Sequence, residues 1–467
     1  FSATDAESVT KPFVIDSVFP SIDLTSVSSV FSPNKDGFLD IFEILQKGSE
    51  EKEWQAKIID DKNKVLWESY YAGRPKQKEL WDGVDLNNNL QKNGLYKYTI
   101  SSTDEAGNTT TKDLSIELKN IYTVAYVTLD DDKFSPNKDG KFDVIKFRPF
   151  VNVKEDLEVY KIEVMDKDKK VVKTFSGTKT IPEVIEWDGI SEAKNVAKDG
   201  FYTLKLSTIY RFGNRPQVES AQFILDTTPP ELNLTFEPQY FSPDDDGVDD
   251  ELSIGIKSYD LSGIKDWKVN VLTPDKNKNF YSISGTGKPT EKMVWAGKGS
   301  NGELVDSAED YPVKIYAVDN VGNVLEKEVD PVMVDILVIK LDDGRLKIKI
   351  SNIEFKPESA EMTDSPKNEK ILGLLVKALK KYNQYKILIE GHANKFRQNL
   401  DEARAKKLSD DRAKFILSIL SKKGIAANRM SALGRGFDIP LVPLEEGVSA
   451  DDLAKNRRVE FYLDKNQ

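Results

Sequence analysis

Three short motifs recur in one order, three times, over the first two-thirds of the chain, and a chain built this way folds as a series of similar small units. The first motif is Phe31-Ser32-Pro33-Asn34-Lys35-Asp36-Gly37 closed by Asp40; it returns at Phe134 to Gly140 with Asp143, and at Phe241 to Gly247 with Asp250. The second is Trp81-Asp82-Gly83, then Trp187-Asp188-Gly189, then the degenerate Trp295-Ala296-Gly297. The third ends in Gly107-Asn108, Gly213-Asn214 and Gly322-Asn323. Alternating segments at Tyr96–Ile100, Tyr202–Leu206 and Val313–Ala317 have the two-residue period of half-buried strands. Asn93-Gly94 and Asp199-Gly200 are turn dipeptides ahead of two of these strands. No helical pattern of useful length precedes residue 365, so each unit of roughly 105 residues reads as a β-sandwich. Pro229-Pro230 makes a stiff junction before the third unit.

The first motif admits two readings. Oxygen-bearing side chains at alternate positions around a glycine turn resemble a calcium loop. Copies one and two supply two carboxylates each, with Lys35 or Lys138 between the ligands, which favours a hairpin loop whose Asp and Asn side chains cap their own backbone. Copy three supplies Asp244, Asp245, Asp246, Asp249 and Asp250, which repel one another unless a cation or solvent intervenes. For Asp244, Asp246 and Asp250 calcium binding and backbone capping both stay open.

After Asp335 the pattern changes. Ile336–Leu341 and Arg345–Ile350 flank Asp342-Asp343-Gly344 as a hairpin. Ser365-Pro366 opens a helix with Ser as N-cap and Pro at the first helical position, and Ile371, Leu372, Leu375, Ala378, Leu379 and Tyr382 form its apolar face. A buried strand follows at Tyr385–Glu390. Ser409 is expected to cap a second helix that runs to Lys422-Lys423 and stops at Gly424. Strands near Arg429–Gly434 and Arg457–Leu463 complete an α/β layer.

Charge and composition exclude several functions. A net charge of −11 argues against a nucleic-acid partner and against a basic membrane-binding patch. No run of 18 apolar residues can span a bilayer as a helix, and there is no cysteine for thiol chemistry or disulfides. The start at Phe1 and the polar opening residues suggest a removed targeting segment and a flexible leader over 1–18. The single histidine, His392, ends a core strand and is expected to pack there. Near Gly287-Lys288 a phosphate loop fails, since Pro289 follows and Ser282 stands where the first glycine belongs. The chain is read as non-catalytic and without a cofactor.

Taken together, the FSPN-x-DG segments, the Trp-Asp-Gly triplets, the strands opened by Gly94-Leu95-Tyr96 and Gly200-Phe201-Tyr202 and the Gly-Asn hairpins resemble the FlgD-type immunoglobulin-like repeat of bacterial surface and envelope proteins. That resemblance implies immunoglobulin-like sandwiches at 19–121, 122–226 and 227–335, acting as spacers or binding modules. Residues 336–467 resemble the OmpA C-terminal domain, on Ile353-x-Phe355, Ile389-x-Gly391-His392, Leu408-Ser409-x-x-Arg412-Ala413, Gly424-Ile425, Arg429-Met430-Ser431-x-x-Gly434-x-Gly436 and Asn456-Arg457-Arg458-Val459-Glu460. The fold class expected is therefore multidomain, with all-β immunoglobulin-like sandwiches followed by an α/β OmpA-like domain. The resemblance implies a periplasmic, outer-membrane-associated envelope protein that binds the diaminopimelate-containing stem peptide of peptidoglycan without a covalent bond. Other envelope proteins are further expected partners, and the Lys- and Asp-rich usage suits a spirochaetal lipoprotein anchored upstream.

In that family the stem peptide's ammonium meets an Asp just after the Gly-His pair; here the position is Asn394. Arg412 is expected in the first turn of the second helix, where free N–H groups and the helix dipole favour an anion and a guanidinium makes a carboxylate receptor. Arg457 is a further candidate for the pocket wall. Two more departures are Ala405, where the family has Asn, and a stretch between Asn394 and Leu408 that is about three residues longer. Losing one charge-assisted hydrogen bond costs about 1.5–3 kcal/mol, so peptidoglycan binding is expected to be weakened or lost. The alternatives are a working tether between outer membrane and cell wall, and a calcium-dependent binding module or adhesin.

Overall fold

The computed structural model describes residues 15–394, 402–444, 448, 453 and 455–465, so most of the expected leader, and residues 395–401 of the longer stretch, lie outside the described residues. The chain separates into two compact units, Phe1–Asp226 and Thr227–Gln467.

In the first unit, strands Ile22–Ser26, Phe42–Gly48 and Lys78–Trp81 form a three-stranded sheet. A five-stranded sheet of Val30–Phe31, Glu51–Ile59, Val65–Gly73, Gly94–Thr103 and Thr109–Leu118 faces it. Ile22, Phe42 and Ile44 from the one meet Trp54, Tyr98 and Ile100 from the other in a single buried cluster. The same arrangement repeats from Ala125 to Leu225, with the last strand broken into Gln217–Glu219 and Phe223–Leu225. It repeats again in the second unit, from Glu231 to Val334. In each copy the phenylalanine of the first motif ends a two-residue strand that runs parallel to the last strand of the larger sheet.

The contacts explain why the motifs travel together. The Phe and Trp rings pack at 5.4 Å for Phe31–Trp81, 5.4 Å for Phe134–Trp187 and 5.6 Å for Phe241–Trp295. Each indole Nε1 donates to the carbonyl three residues on, in Val84, Ile190 and Lys298. The glycine after each Trp-x pair has φ of +80°, +75° or +70°. A Cβ there would come within 3.1, 2.6 or 2.5 Å of the ring of Pro33, Pro136 or Pro243, so only glycine fits. The Asp of Trp-Asp-Gly makes only a long bond to the Val84 or Ile190 amide, at 3.4 and 3.1 Å, and Ala296 replaces it without disturbing the rest.

Copy two spends its third motif differently. Where Asp104 and Asp319 bond the Asn108 and Asn323 amides, Arg211 instead pairs with Glu117 at 2.7 Å and Asp156 at 3.0 Å. Asn214 accepts from Asn34 at 2.7 Å, fastening the first two sandwiches to each other.

The last part of the second unit is a five-stranded sheet in the order Ile339–Lys340, Leu346–Ile350, Val459–Asp464, Lys386–His392, Met430–Gly436. Two helices, α1 (Pro366–Lys381) and α2 (Glu402–Lys422), share its core through Ile371, Leu375, Ala413 and Ile416. As expected, Ser365 caps α1 by accepting from the Asn368 amide, with Pro366 in the first turn. Ser409 does not cap α2. The helix already runs from Glu402, and the Ser409 hydroxyl donates to Lys406 O and accepts from Gly436 N, both at 2.9 Å. The cause is a close approach: a Cβ at Gly391 would stand 2.1 Å from Ser409 O, and one at Gly434 2.4 Å from Asp410 N. The α2 backbone rests directly on these two strands.

One side of α1 docks on the third sandwich. Lys367 pairs with Glu309 at 3.1 Å, Lys370 with Asp310, Lys377 with Asp335 at 3.3 Å and Lys381 with Asp246 at 2.8 Å.

Candidate ligand pocket

A hollow of about 650 Å³ opens beside α2, and Asn394, Arg412 and Arg457 all line it, together with Phe355, Lys407 and Asp411. The structure thus brings the three candidate residues together. It places Arg412 otherwise than expected, more than two turns into α2. The helix N-terminus and its dipole, which act only over the first turn, contribute nothing there. The Arg412 guanidinium is positioned instead by its Nε, which donates to Ser359 O at 3.0 Å, and by the Phe355 ring 4.6 Å beneath it. Burial, and then the charge of Arg457, lower its pKa below the ordinary guanidinium value. Asp410 does not compete for it: this carboxylate pairs with Lys414 at 2.7 Å and accepts from Gly434 N at 3.2 Å. Among the described residues no carboxylate forms an ion pair with Arg412. A smaller hollow of about 330 Å³ adjoins on the other side and also uses Phe355, Arg412 and Arg457.

Asn394 is 4% exposed, and its Oδ1 has no hydrogen-bond partner among the described residues. Ala405 is fully buried. Among the described residues, five cationic side chains line the larger hollow, Arg404, Arg412, Arg457, Lys356 and Lys407, against two carboxylates, Glu358 and Asp411; Arg404 pairs with Glu358 and Lys356 with Glu361. A carboxylate is the ligand group such a wall attracts.

A second cluster lies beneath the pocket, and nothing in the motif reading singled it out. Glu390 and Glu460 stand directly opposite each other on paired strands, 3% and 1% exposed. Two like charges so placed destabilise a sheet unless cations separate them. Arg435 Nε reaches Glu390 at 3.0 Å. Arg458 Nε, Lys347 Nζ and the Tyr462 hydroxyl reach Glu460 at 2.7, 2.9 and 2.8 Å. Burial alone would raise the Glu460 pKa; the neighbouring His392, the hydrogen bonds of Arg458 and Lys347 and the charge of Arg458 reverse that and hold it far below the ordinary carboxylate range. His392 is packed beside them, its Nε2 3.6 Å from Glu460, just beyond hydrogen-bond reach, and neither ring nitrogen has a hydrogen bond among the described residues. The available signal was a glutamate inside each of two apolar core strands, Ile389-Glu390-Gly391 and Val459-Glu460-Phe461. Arg457 precedes the strand that begins at Val459 rather than lying in it.

The Asp and Asn loops of the sandwiches cap their own backbone in all three copies. Asp40, Asp143 and Asp250 accept from the amides of Gly37, Gly140 and Gly247 at 2.7, 2.9 and 2.7 Å. In copy three two of the loop acids face the following domain: Asp244 accepts from Val338 N at 2.6 Å and Asp246 holds Lys381. Carboxylate oxygens of Asp244, Asp246 and Asp250 lie within 4.8 Å of one another. Burial, with Asp246 and Asp250 nearby, pushes the Asp244 pKa up to about 6, whereas Lys381 lowers that of Asp246.

No helix among the described residues is long and apolar enough to cross a membrane. No curated protein matches the chain. Among solved structures, an outer membrane protein of Borrelia burgdorferi B31 is 32% identical over 27% of this chain and 94% of its own, with a TM-score of 0.20. The cell wall anchor of the T6SS of Pseudomonas aeruginosa is 27% identical over 26% of this chain and 80% of its own (TM-score 0.22). The periplasmic domain of Helicobacter pylori MotB is 19% identical over 28% and 82% (TM-score 0.24). Residues 354–451, which carry Phe355, Asn394 and Arg412, match the OmpA family, and this stretch of the chain is an OmpA family domain.

Proposed function

We propose that the chain is a non-catalytic cell-envelope protein whose OmpA family domain associates with peptidoglycan through a diverged pocket. The observation that carries this is the meeting of Arg412 and Arg457 in one hollow with a neutral Asn394. The guanidiniums receive a stem-peptide carboxylate, while the amide lacks the charge that balances a free ammonium. The three sandwiches, which we assign to 19–121, 122–226 and 227–335, act as a spacer at the outer-membrane side of the periplasm. With each small domain adding about 35–40 Å, their summed length is on the order of 100 Å. Sedimentation of the full chain with purified sacculi tests this. Weak retention that Arg412→Ala abolishes and Asn394→Asp strengthens supports the diverged pocket; strong retention in the wild type supports an undiminished tether. Retention unchanged by Arg412→Ala would falsify the site.

The calcium-module alternative draws less support. Of the copy-three carboxylates, Asp246 is held by Lys381, Asp250 by the loop amides and one oxygen of Asp244 by Val338 N.

A further inference from the structure

Neighbouring domains of one chain move against each other unless the contact between them is extensive and well packed. The first two sandwiches meet that condition through one hairpin, the third motif of copy two. In copy one the corresponding Glu105, Ala106 and Gly107 are exposed, and a Cβ on Gly107 would meet nothing within 4 Å. In copy two Phe212, Gly213 and Asn214 are buried. A Cβ on Gly213 would stand 2.5 Å from Phe38 O of the first sandwich, so the two backbones touch there.

The contact is apolar in the middle and polar at both sides. Tyr210 and Phe212 share a buried cluster with Leu157 of their own sandwich and Val30 of the first. Asn214, 3% exposed, accepts from Asn34 and donates to Ile121 O at 2.9 Å and Thr123 Oγ1 at 3.1 Å. The Arg215 guanidinium lies 3.9 Å from the centre of the Phe38 ring. On the other flank Arg211 reaches both Glu117 and Asp156, and Lys119 reaches the same two carboxylates. Each carboxylate thus takes one cation from its own sandwich and one from the neighbour. Burial alone would raise both carboxylate pKa values; the hydrogen bonds and charges of Arg211 and Lys119 hold both below the ordinary range.

We propose that the Tyr210–Arg215 hairpin is a latch that closes on the Phe31–Asp40 loop of the first sandwich and makes residues 19–226 one rigid arm. The repeat supplies both halves of the device, the first motif of copy one as receptor and the third motif of copy two as key. Such an arm keeps whatever is joined to its two ends at a set separation, whatever the OmpA family domain binds.

The chain has no cysteine, so two introduced ones can be labelled without competition. Lys62→Cys and Lys170→Cys place spin labels at exposed positions in corresponding turns of the two sandwiches of the full chain. Double electron–electron resonance should give a distance distribution as narrow as that of a reference pair inside one sandwich, Lys62→Cys with Lys92→Cys. Arg211→Ala combined with Asn214→Ala should broaden the first distribution about twofold or more and leave the reference pair unchanged. A broad distribution between the sandwiches of the otherwise unaltered chain overturns the latch. So does a narrow one that the double substitution fails to widen. If circular dichroism shows that this variant has lost its fold, Lys119→Ala with Arg215→Ala, at the edge of the contact, replaces it under the same two readings.

Discussion

Arg457 and Arg458 are neighbours in the chain and opposites in circumstance. Arg458 is 4% exposed and lies against Glu460, which it shares with Lys347 and Tyr462. Arg457, one residue earlier, is half-buried on the wall of a hollow beside Arg412, and burial lowers its pKa. One arginine is held inside the sheet by a buried carboxylate, and the other lines the wall of a hollow at its rim. Taking a cation away from a buried carboxylate costs the fold, whereas a guanidinium on a concave wall is placed to meet a ligand.

The largest effect should come from breaking the buried side. Arg458→Met leaves Glu390 and Glu460 facing each other with one cation fewer and should lower the unfolding free energy by about 3–5 kcal/mol, read from a denaturant melt. A loss below about 1 kcal/mol would erase the distinction. Arg412→Ala should act the other way round. Its stability cost should stay near 1 kcal/mol, from the Phe355 contact and one hydrogen bond, while retention on purified sacculi drops about tenfold or more.

Asp244 offers the same comparison in the sandwich, as a carboxylate among like charges. Its folded pKa of about 6 lies above the ordinary 3.8, so the folded state holds its proton more tightly. Its contribution is therefore present at low pH and lost as pH rises from about 4 to 6. Asp244→Asn should flatten the melting midpoint across that window and stabilise the chain at neutral pH by about 1 kcal/mol, a figure reduced for the half of Asp244 that solvent screens. A steeper pH dependence in the variant would contradict this. Smallest of all, Lys377→Ala removes an ion pair whose lysine is 73% exposed, and the melt should move by less than about 0.5 kcal/mol.

How much of this the chain announced depends on whether the cause was local. Helix α1 is legible because its cap, its proline and its apolar spacing all lie within one short segment. The repeats are legible because each motif residue touches another motif residue, as Pro33 touches Gly83. The start of α2 was not. Ser409-Asp410-Asp411 has the composition of a helix start, but Ser409 answers to Gly391 and Gly436, residues distant in sequence that the sheet brings beneath it. Ala405, eight residues before Ala413, was the trace of the longer helix, since both are fully buried on the same face. The three pocket residues and Phe355 stand in motifs, whereas Ser359, whose carbonyl aims Arg412, acts through the fold and carries no pattern of its own.

The docking of α1 on the third sandwich has a mechanical consequence. The strand Val324–Val334 runs through Asp335 straight into Ile336 and Val338, which are already in the core of the OmpA family domain. No slack separates the two. Tension applied to that domain is shared by the lysine row of α1 and then enters the sandwich along the axis of its last strand. That strand is bonded over most of its length to Asp310–Asp319 and, at its end, to Tyr240–Phe241. A pull in this direction shears the whole ladder at once instead of unzipping it one bond at a time.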